Sequence, residues 1–204
     1  MATCPCFLET LMSRRSVRRF RPDPIPRELV ERIVEAGIRA PTAGGGEQWF
    51  FVAVLDEARR RRIHELLIQA HMRYAQEVLR TPLPRDKAER WLRVMRRGEY
   101  LAPLYIAAYL DLRKRLYRDE YLELERLWAI QSLAAAIENM LLAAHGLGLG
   151  GVWLGVPLLM RREFDEVLQP PEGCELQGIL AIGYRAEEPG PRPRRPLHEV
   201  LRTI

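Results

Sequence analysis

The feature that most constrains this chain is an apolar stripe at helical period near its middle. Leu124, Leu127, Ile130, Ala134, Ile137, Leu141 and Ala144 recur every three or four residues, which places them on one side of a helix of roughly twenty residues. Gly146 and Gly148 follow at once, where a helix end favours residues that tolerate a left-handed turn. A stripe this wide has to be covered, so it predicts the central helix of the domain with other elements packed around it.

Those elements can be placed by period. Phe7, Leu8, Leu11 and Met12 predict a short helix that breaks into the basic run Ser13 to Arg21. Leu29, Val30, Ile33, Val34 and Gly37 share a helical face, with Pro26 suited to the first turn and Pro41 beyond the end. A loop at 40–48 leads into a strand at 49–55, and a helical period returns from Glu57 to Leu79 through Ile63, Leu66, Leu67, Ala70 and Tyr74. Thr81 to Arg97 contains prolines and many charges, and predicts a surface excursion that could serve as a lid.

Leu104 to Leu110 is an apolar run bounded by Pro103 and Asp111, as a buried strand would be. Gly151 to Val156 predicts a strand, Arg162 to Leu168 a short helix, and Leu176 to Tyr184 a further strand. Pro189 to Pro196 is an extended basic arm. With 204 residues and no internal repeat, strands alternating with helices suit one α/β unit over 1–204, with 185–204 as a C-terminal arm.

Charge and cysteine content exclude several classes. The 32 Lys+Arg against 27 Asp+Glu leave +5, but the basic residues at 59–62, 85–97 and 192–195 are interleaved with acids rather than gathered on one stripe. Nucleic acid is therefore not the expected partner. Cys4, Cys6 and Cys174 cannot form a disulfide framework, and Cys4-Pro5-Cys6 is too sparse for zinc. The start has no signal-like segment, and the sequence shows no run of about 18 apolar residues to cross a bilayer. A cytoplasmic protein with no membrane partner is the expectation.

The chemistry-bearing stretches are few. Arg14-Arg15-Ser16-Val17-Arg18 puts three guanidinium groups and a hydroxyl at a helix-to-loop junction. Arginine forks suit phosphate oxygens and ring carbonyls, although such a run standing alone reads as a solvated turn. Gly44-Gly45-Gly46 would let backbone approach a flat ligand. Gly146-Leu147-Gly148-Leu149-Gly150 follows a helix and precedes a strand, the reverse of a dinucleotide-binding turn. The four histidines lack metal-ligand spacing, and no serine stands in a nucleophile elbow.

Taken in register, four pieces resemble the nitroreductase family of FMN enzymes. They are Arg14 to Arg18; Ala40-Pro41-Thr42-Ala43-Gly44 with Gln48-Trp49; Gly146 to Gly150 with Trp153-Leu154-Gly155; and Gly183-Tyr184 with Arg192-Pro193-Arg194-Arg195-Pro196. The resemblance spans nearly the whole chain. It implies an α+β fold, a three-layer α/β/α sandwich with a central mixed, mainly antiparallel sheet, in an interlocked homodimer with FMN at the interface. By position, Arg14, Ser16 and Arg18 match residues that contact FMN phosphate, ribityl chain and the N1/O2 edge, and Arg15 belongs to the same loop. Arg194 and Arg192 match the basic residues that close on the phosphate. Pro41, Thr42 and Ala43 match the loop offered to the flavin by the other subunit. Leu154, Gly155 and Val156 match backbone near N5 and O4, while Gln131 or Ser132 matches a polar residue reaching across the interface. The chain departs from the common pattern at Gly45, where the family has Asn, and at Glu47-Gln48-Trp49, where it has Gln-Pro-Trp.

The function so implied is reduction of a small electron-poor acceptor, nitroaromatic or quinone, by NADH or NADPH in a ping-pong hydride cycle. No side chain is required as nucleophile, because flavin N5 carries the chemistry and the protein positions and tunes it. Arg18 beside N1/O2 would stabilise negative charge on the reduced ring. The same resemblance also covers reductive dehalogenation, flavin fragmentation and dehydrogenation. A basic module binding nucleic acid without catalysis is the alternative from another class.

Overall fold

The computed structural model describes residues 7–204; Cys4 and Cys6 lie outside them. Four strands form one sheet in the order β1-β2-β4-β3, comprising β1 (Trp49–Val54), β2 (Leu104–Asp111), β3 (Gly150–Leu154) and β4 (Cys174–Gly183). Every neighbouring pair is antiparallel, and among the described residues a parallel contact occurs only at the bridge Ser16–Gly151. Alternation of strands and helices along the chain therefore does not build parallel βαβ units, and the architecture is α+β.

β2 is the centre of the sheet because it is apolar on both faces: seven of its eight residues are buried. On one face Tyr105, Ala107 and Tyr109 join Leu176, Ile179 and Ala181 of β4 against α3 (Glu57–Arg73) and α6 (Arg161–Leu168). On the other, Leu104, Ile106 and Ala108 join Leu180 and Ile182 against α2 (Arg27–Gly37) and α5 (Leu122–Gly146). Helices thus cover both faces, giving three layers.

α5 runs 25 residues, longer than its apolar stripe alone predicts. Its length and composition would also suit a membrane-crossing helix, as those of a buried core helix can, although Gln131, Ser132, Glu138 and Asn139 interrupt the apolar run. Much of that apolarity meets α2 and the sheet. The approach to α2 is close at Gly37, where a Cβ would lie 2.5 Å from Met140 Cε. Beyond α5, Gly148 adopts φ 81 and its N–H bonds the His145 carbonyl at 3.0 Å, so this glycine ends the helix as its position predicts.

Two segments differ from the sequence expectation. The helix expected from 57 to 79 is α-helical to Arg73 and ends in a π turn, Tyr74–Val78. The surface excursion expected at 81–97 is instead largely an amphipathic helix, α4 (Arg85–Arg96), with Ala88 and Met95 buried. Trp91 of α4 meets His71 of α3 edge-on, with centroids 5.1 Å apart. Its prolines stand before the helix, and its charges line the solvent side.

α1 (Phe7–Ser13) buries none of its residues. It is tied to α5 by the Ser13 hydroxyl and His145 Nε2, 2.9 Å apart. The arm from 191 to 204 is exposed throughout and carries a single helical turn, Leu197–Glu199.

Candidate functional site

The basic run that follows α1 is held as an extended edge of the sheet. Val17, 2% exposed, is its anchor: its N–H bonds the Gly151 carbonyl at 3.1 Å, and further along Arg21 N–H bonds the Tyr184 carbonyl at 2.9 Å. Gly150 makes this docking possible, because a Cβ there would stand 2.7 Å from Val17 Cγ2. The glycine-rich stretch 146–150 therefore serves helix termination and strand approach, in keeping with its reversed order for a nucleotide fingerprint.

With Val17 turned inward, Arg14, Arg15, Ser16 and Arg18 line a cavity of about 160 Å³ together with Pro189, Gly190, Arg192 and Arg194. The structure thus brings together six of the residues predicted for the cofactor from the two ends of the chain. Arg14 Nε donates to Glu138 of α5 at 3.1 Å with its side chain 20% exposed. Arg15 donates to the carbonyls of Met12 and Arg14 at 2.6 and 2.8 Å. Arg18 donates from its guanidinium to the Ser16 carbonyl at 3.1 Å, and its backbone N–H bonds the Glu187 carboxylate at 2.8 Å. Five guanidinium groups facing so small a space form a concentrated anion site, and several are preorganised by bonds to backbone.

Other predicted residues lie outside that cavity. Thr42 Oγ1 accepts from Glu47 N–H at 2.9 Å, shaping the glycine loop, and Ala43 N–H donates to Ser132 Oγ at 3.1 Å. The loop with Pro41 is therefore fastened to α5 one residue from Gln131, which is exposed. Of the two candidates on that helix, Ser132 bonds the loop. Leu154 closes β3, with Gly155 exposed and Val156 partly buried after it.

Gln48, one of the departures from the family pattern, is a buried structural residue. Its side-chain amide donates to Glu125 at 2.9 Å and to the Lys114 carbonyl at 3.0 Å. Glu125 also accepts from Leu116 N–H at 2.7 Å and Arg115 Nε at 2.7 Å. Burial alone would raise its carboxyl, but these three donors outweigh that and hold it below the usual value. This network pins the 113–121 loop over the glycine loop, where Gly44 sits at φ 58 with its missing Cβ only 2.5 Å from Tyr117 Oη.

Glu138, Glu187 and Glu125 were not predicted for the site. Glu125 and Glu187 are acids in charged stretches, whereas Glu138 stands alone as a carboxylate in the apolar run from Leu127 to Ala144; no local pattern says which cation each will meet. Gly190 was also missed, although its place in the proline-rich arm between Pro189 and Pro191 marked a sharp local change of direction.

Comparison with known proteins identifies the family. The model of the nitroreductase family matches residues 11–184. A Thermus thermophilus protein named NADH dehydrogenase is 30% identical over 200 residues, covering 93% of this chain and 92% of that one. The 5,6-dimethylbenzimidazole synthase of Rhodospirillum rubrum is 31% identical over 201 residues, covering 93% and 90%. A Desulfovibrio desulfuricans protein solved in complex with FMN superposes with a TM-score of 0.70 at 26% identity, covering 98% of this chain and 96% of that one. A family match over most of the chain and relatives spanning nearly its whole length establish that this protein belongs to the nitroreductase family.

Proposed function

We propose that this chain is an FMN-dependent oxidoreductase that takes reducing equivalents from NADH or NADPH and passes them to a small electron-poor acceptor of nitroaromatic or quinone type. The observation that carries this reading is the convergence of Arg14, Arg15, Ser16 and Arg18 with Arg192 and Arg194 on one cavity. Five guanidinium groups and about 160 Å³ suit a phosphate, and the Desulfovibrio relative was solved with FMN. When bound, FMN supplies the two-electron chemistry, taking hydride at N5 and giving it up to the acceptor in a second half-reaction.

The chain's own residues bind and orient. Arg14, Arg192 and Arg194 hold the phosphate, and Arg18 places positive charge along the ring edge where electron density rises on reduction. β3 links the two ends of the site: Gly151 pairs with Ser16, and Gly155 lies four residues on, about 13 Å at strand rise. That is long enough for a ligand extending from a phosphate to a flat ring.

A second copy of the chain completes the site in this reading. α1 has no buried residue, and Phe7, Leu8 and Met12 are exposed along with Leu122, Leu124 and Leu127 of α5 and Leu197 and Leu201 of the arm. A short helix with no covered side is poorly supported in a monomer, so a homodimer that buries these surfaces is proposed, with Pro41, Thr42, Ala43 and Gln131 serving the partner's flavin.

Purified protein should be yellow and should bleach when NADH or NADPH is added without oxygen. A colourless protein with no affinity for FMN overturns the proposal. The relation to 5,6-dimethylbenzimidazole synthase favours one second reading, in which a flavin carrying the same dimethylated ring is consumed. Formation of dimethylbenzimidazole from reduced FMN and oxygen would establish it; steady turnover of a quinone without that product would exclude it.

A further inference from the structure

A second basic cavity, separate from the first, is lined by the next residues of the arginine segment. It measures about 470 Å³ and shares no lining residue with the smaller one. Where the two linings divide, the backbone is fixed: the N–H groups of Arg18 and Arg19 both bond Glu187, at 2.8 and 3.3 Å, and Ala186 N–H bonds the Arg19 carbonyl at 3.0 Å. The run is divided along its length: Arg14, Arg15, Ser16 and Arg18 line the first cavity, and Arg19, Phe20, Arg21 and Pro22 line the second.

Arg19, Arg21, Arg60, Arg61 and Arg97 line this space, with Glu57 as its only acid. Arg60 is fixed by bonds to the Leu55 and Ala102 carbonyls at 3.0 and 3.2 Å. Arg61 is held by Glu57, and Arg21 lies beside Asp23 and over the Tyr184 ring. Arg97 has no acidic partner among the described residues. The rest of the lining is apolar, with Phe20, Leu101 and Pro103 among it. Guanidinium groups around an apolar floor match a ligand that carries a phosphate on an aromatic body, and the volume is that of a small-molecule site.

We propose that this cavity is a second ligand site, for a nucleoside monophosphate, in which Arg61 and Arg97 read the phosphate while the apolar floor takes the base. The site does not depend on the flavin reading, because it uses none of the same side chains.

Calorimetric titration of FMN-saturated protein with AMP, adenosine and inorganic phosphate tests it. AMP should bind saturably, with adenosine and phosphate each weaker by about tenfold or more, since a charge-assisted contact is worth on the order of a decade in Kd. The double variant Arg61→Ala/Arg97→Ala should lose at least about tenfold in AMP affinity and keep its FMN content. Absent saturable AMP binding, adenosine or phosphate binding as tightly as AMP, AMP displacing FMN, or a double variant with undiminished affinity each overturns the site. Should the protein retain no flavin, wild type and double variant are compared as purified, so failure of the flavin reading and failure of this site remain distinct.

Discussion

The side-chain amide of Gln48 and the carboxylate of Glu125 meet at 2.9 Å beneath the 113–121 loop, joining residues 77 positions apart. Glu125 is 0% exposed and accepts from the loop at Leu116 N–H and Arg115. Hydrogen bonds to a charged group contribute about 1.5–3 kcal/mol, and Arg115 keeps solvent and Asp119 as partners. Glu125→Gln should therefore destabilise by about 2 kcal/mol, seen as a lower urea midpoint. Faster amide exchange across 113–121 should accompany it. An unchanged midpoint would show that the loop is held by other contacts.

Gly150 and Val17 set the position of the arginine segment, since a Cβ on Gly150 would lie 2.7 Å from Val17 Cγ2 and 2.8 Å from its Cβ. Val17 is β-branched and buried, so it cannot swing clear. Gly150→Ala should cost about 1–3 kcal/mol in overpacking and should lower FMN retention as the segment is pushed off β3. Full flavin occupancy with wild-type stability would contradict this account of the glycine.

Arg194 reaches the first cavity from the exposed arm. Removing one charge-assisted hydrogen bond is worth about 1.5–3 kcal/mol, so Arg194→Ala should weaken FMN binding roughly 10- to 100-fold. Fluorescence titration of FMN into the apoprotein measures it. Because the arm packs on no core, thermal stability without flavin should not change, and an unaltered FMN Kd would remove Arg194 from the site.

His71 is stacked on Tyr100, with centroids 4.9 Å apart, and its Nδ1–H donates to the Leu67 carbonyl at 2.8 Å. Burial holds its pKa below the usual 6.5, and the same is true of His64. The unfolded chain therefore takes up protons first as the solution is acidified. The stability contributed by these neutral rings is present above about pH 6.5 and lost as pH falls below it toward the lower folded values. Denaturation midpoints should drop between about pH 7.5 and pH 5.5, and His71→Gln should flatten that drop. A slope equal to that of the wild type would assign the effect elsewhere.

What the sequence by itself determined is the local layer of this protein. Period placed α2, α5, α6 and the four strands, because burial of one face repeats at 3.6 or 2 residues and is written directly in side-chain type. The order of the motifs around Arg14, Pro41, Leu154 and Arg194 carried the family, since each keeps a local chemistry. Only the tertiary structure decided the rest. At 81–97 the charges and prolines masked a helix whose buried Ala88 and Met95 matter only because α3 lies beneath them. The antiparallel order β1-β2-β4-β3 is a choice among pairings that no single strand encodes. Most of all, the meeting of Arg14 to Arg18 with Arg192 and Arg194, the placing of Glu138 and Glu187 beside them, and the split of one arginine run between two cavities depend on backbone brought together from distant parts of the chain. Charge has long reach but no periodicity, so a sequence shows which ions exist and the fold alone decides which of them meet.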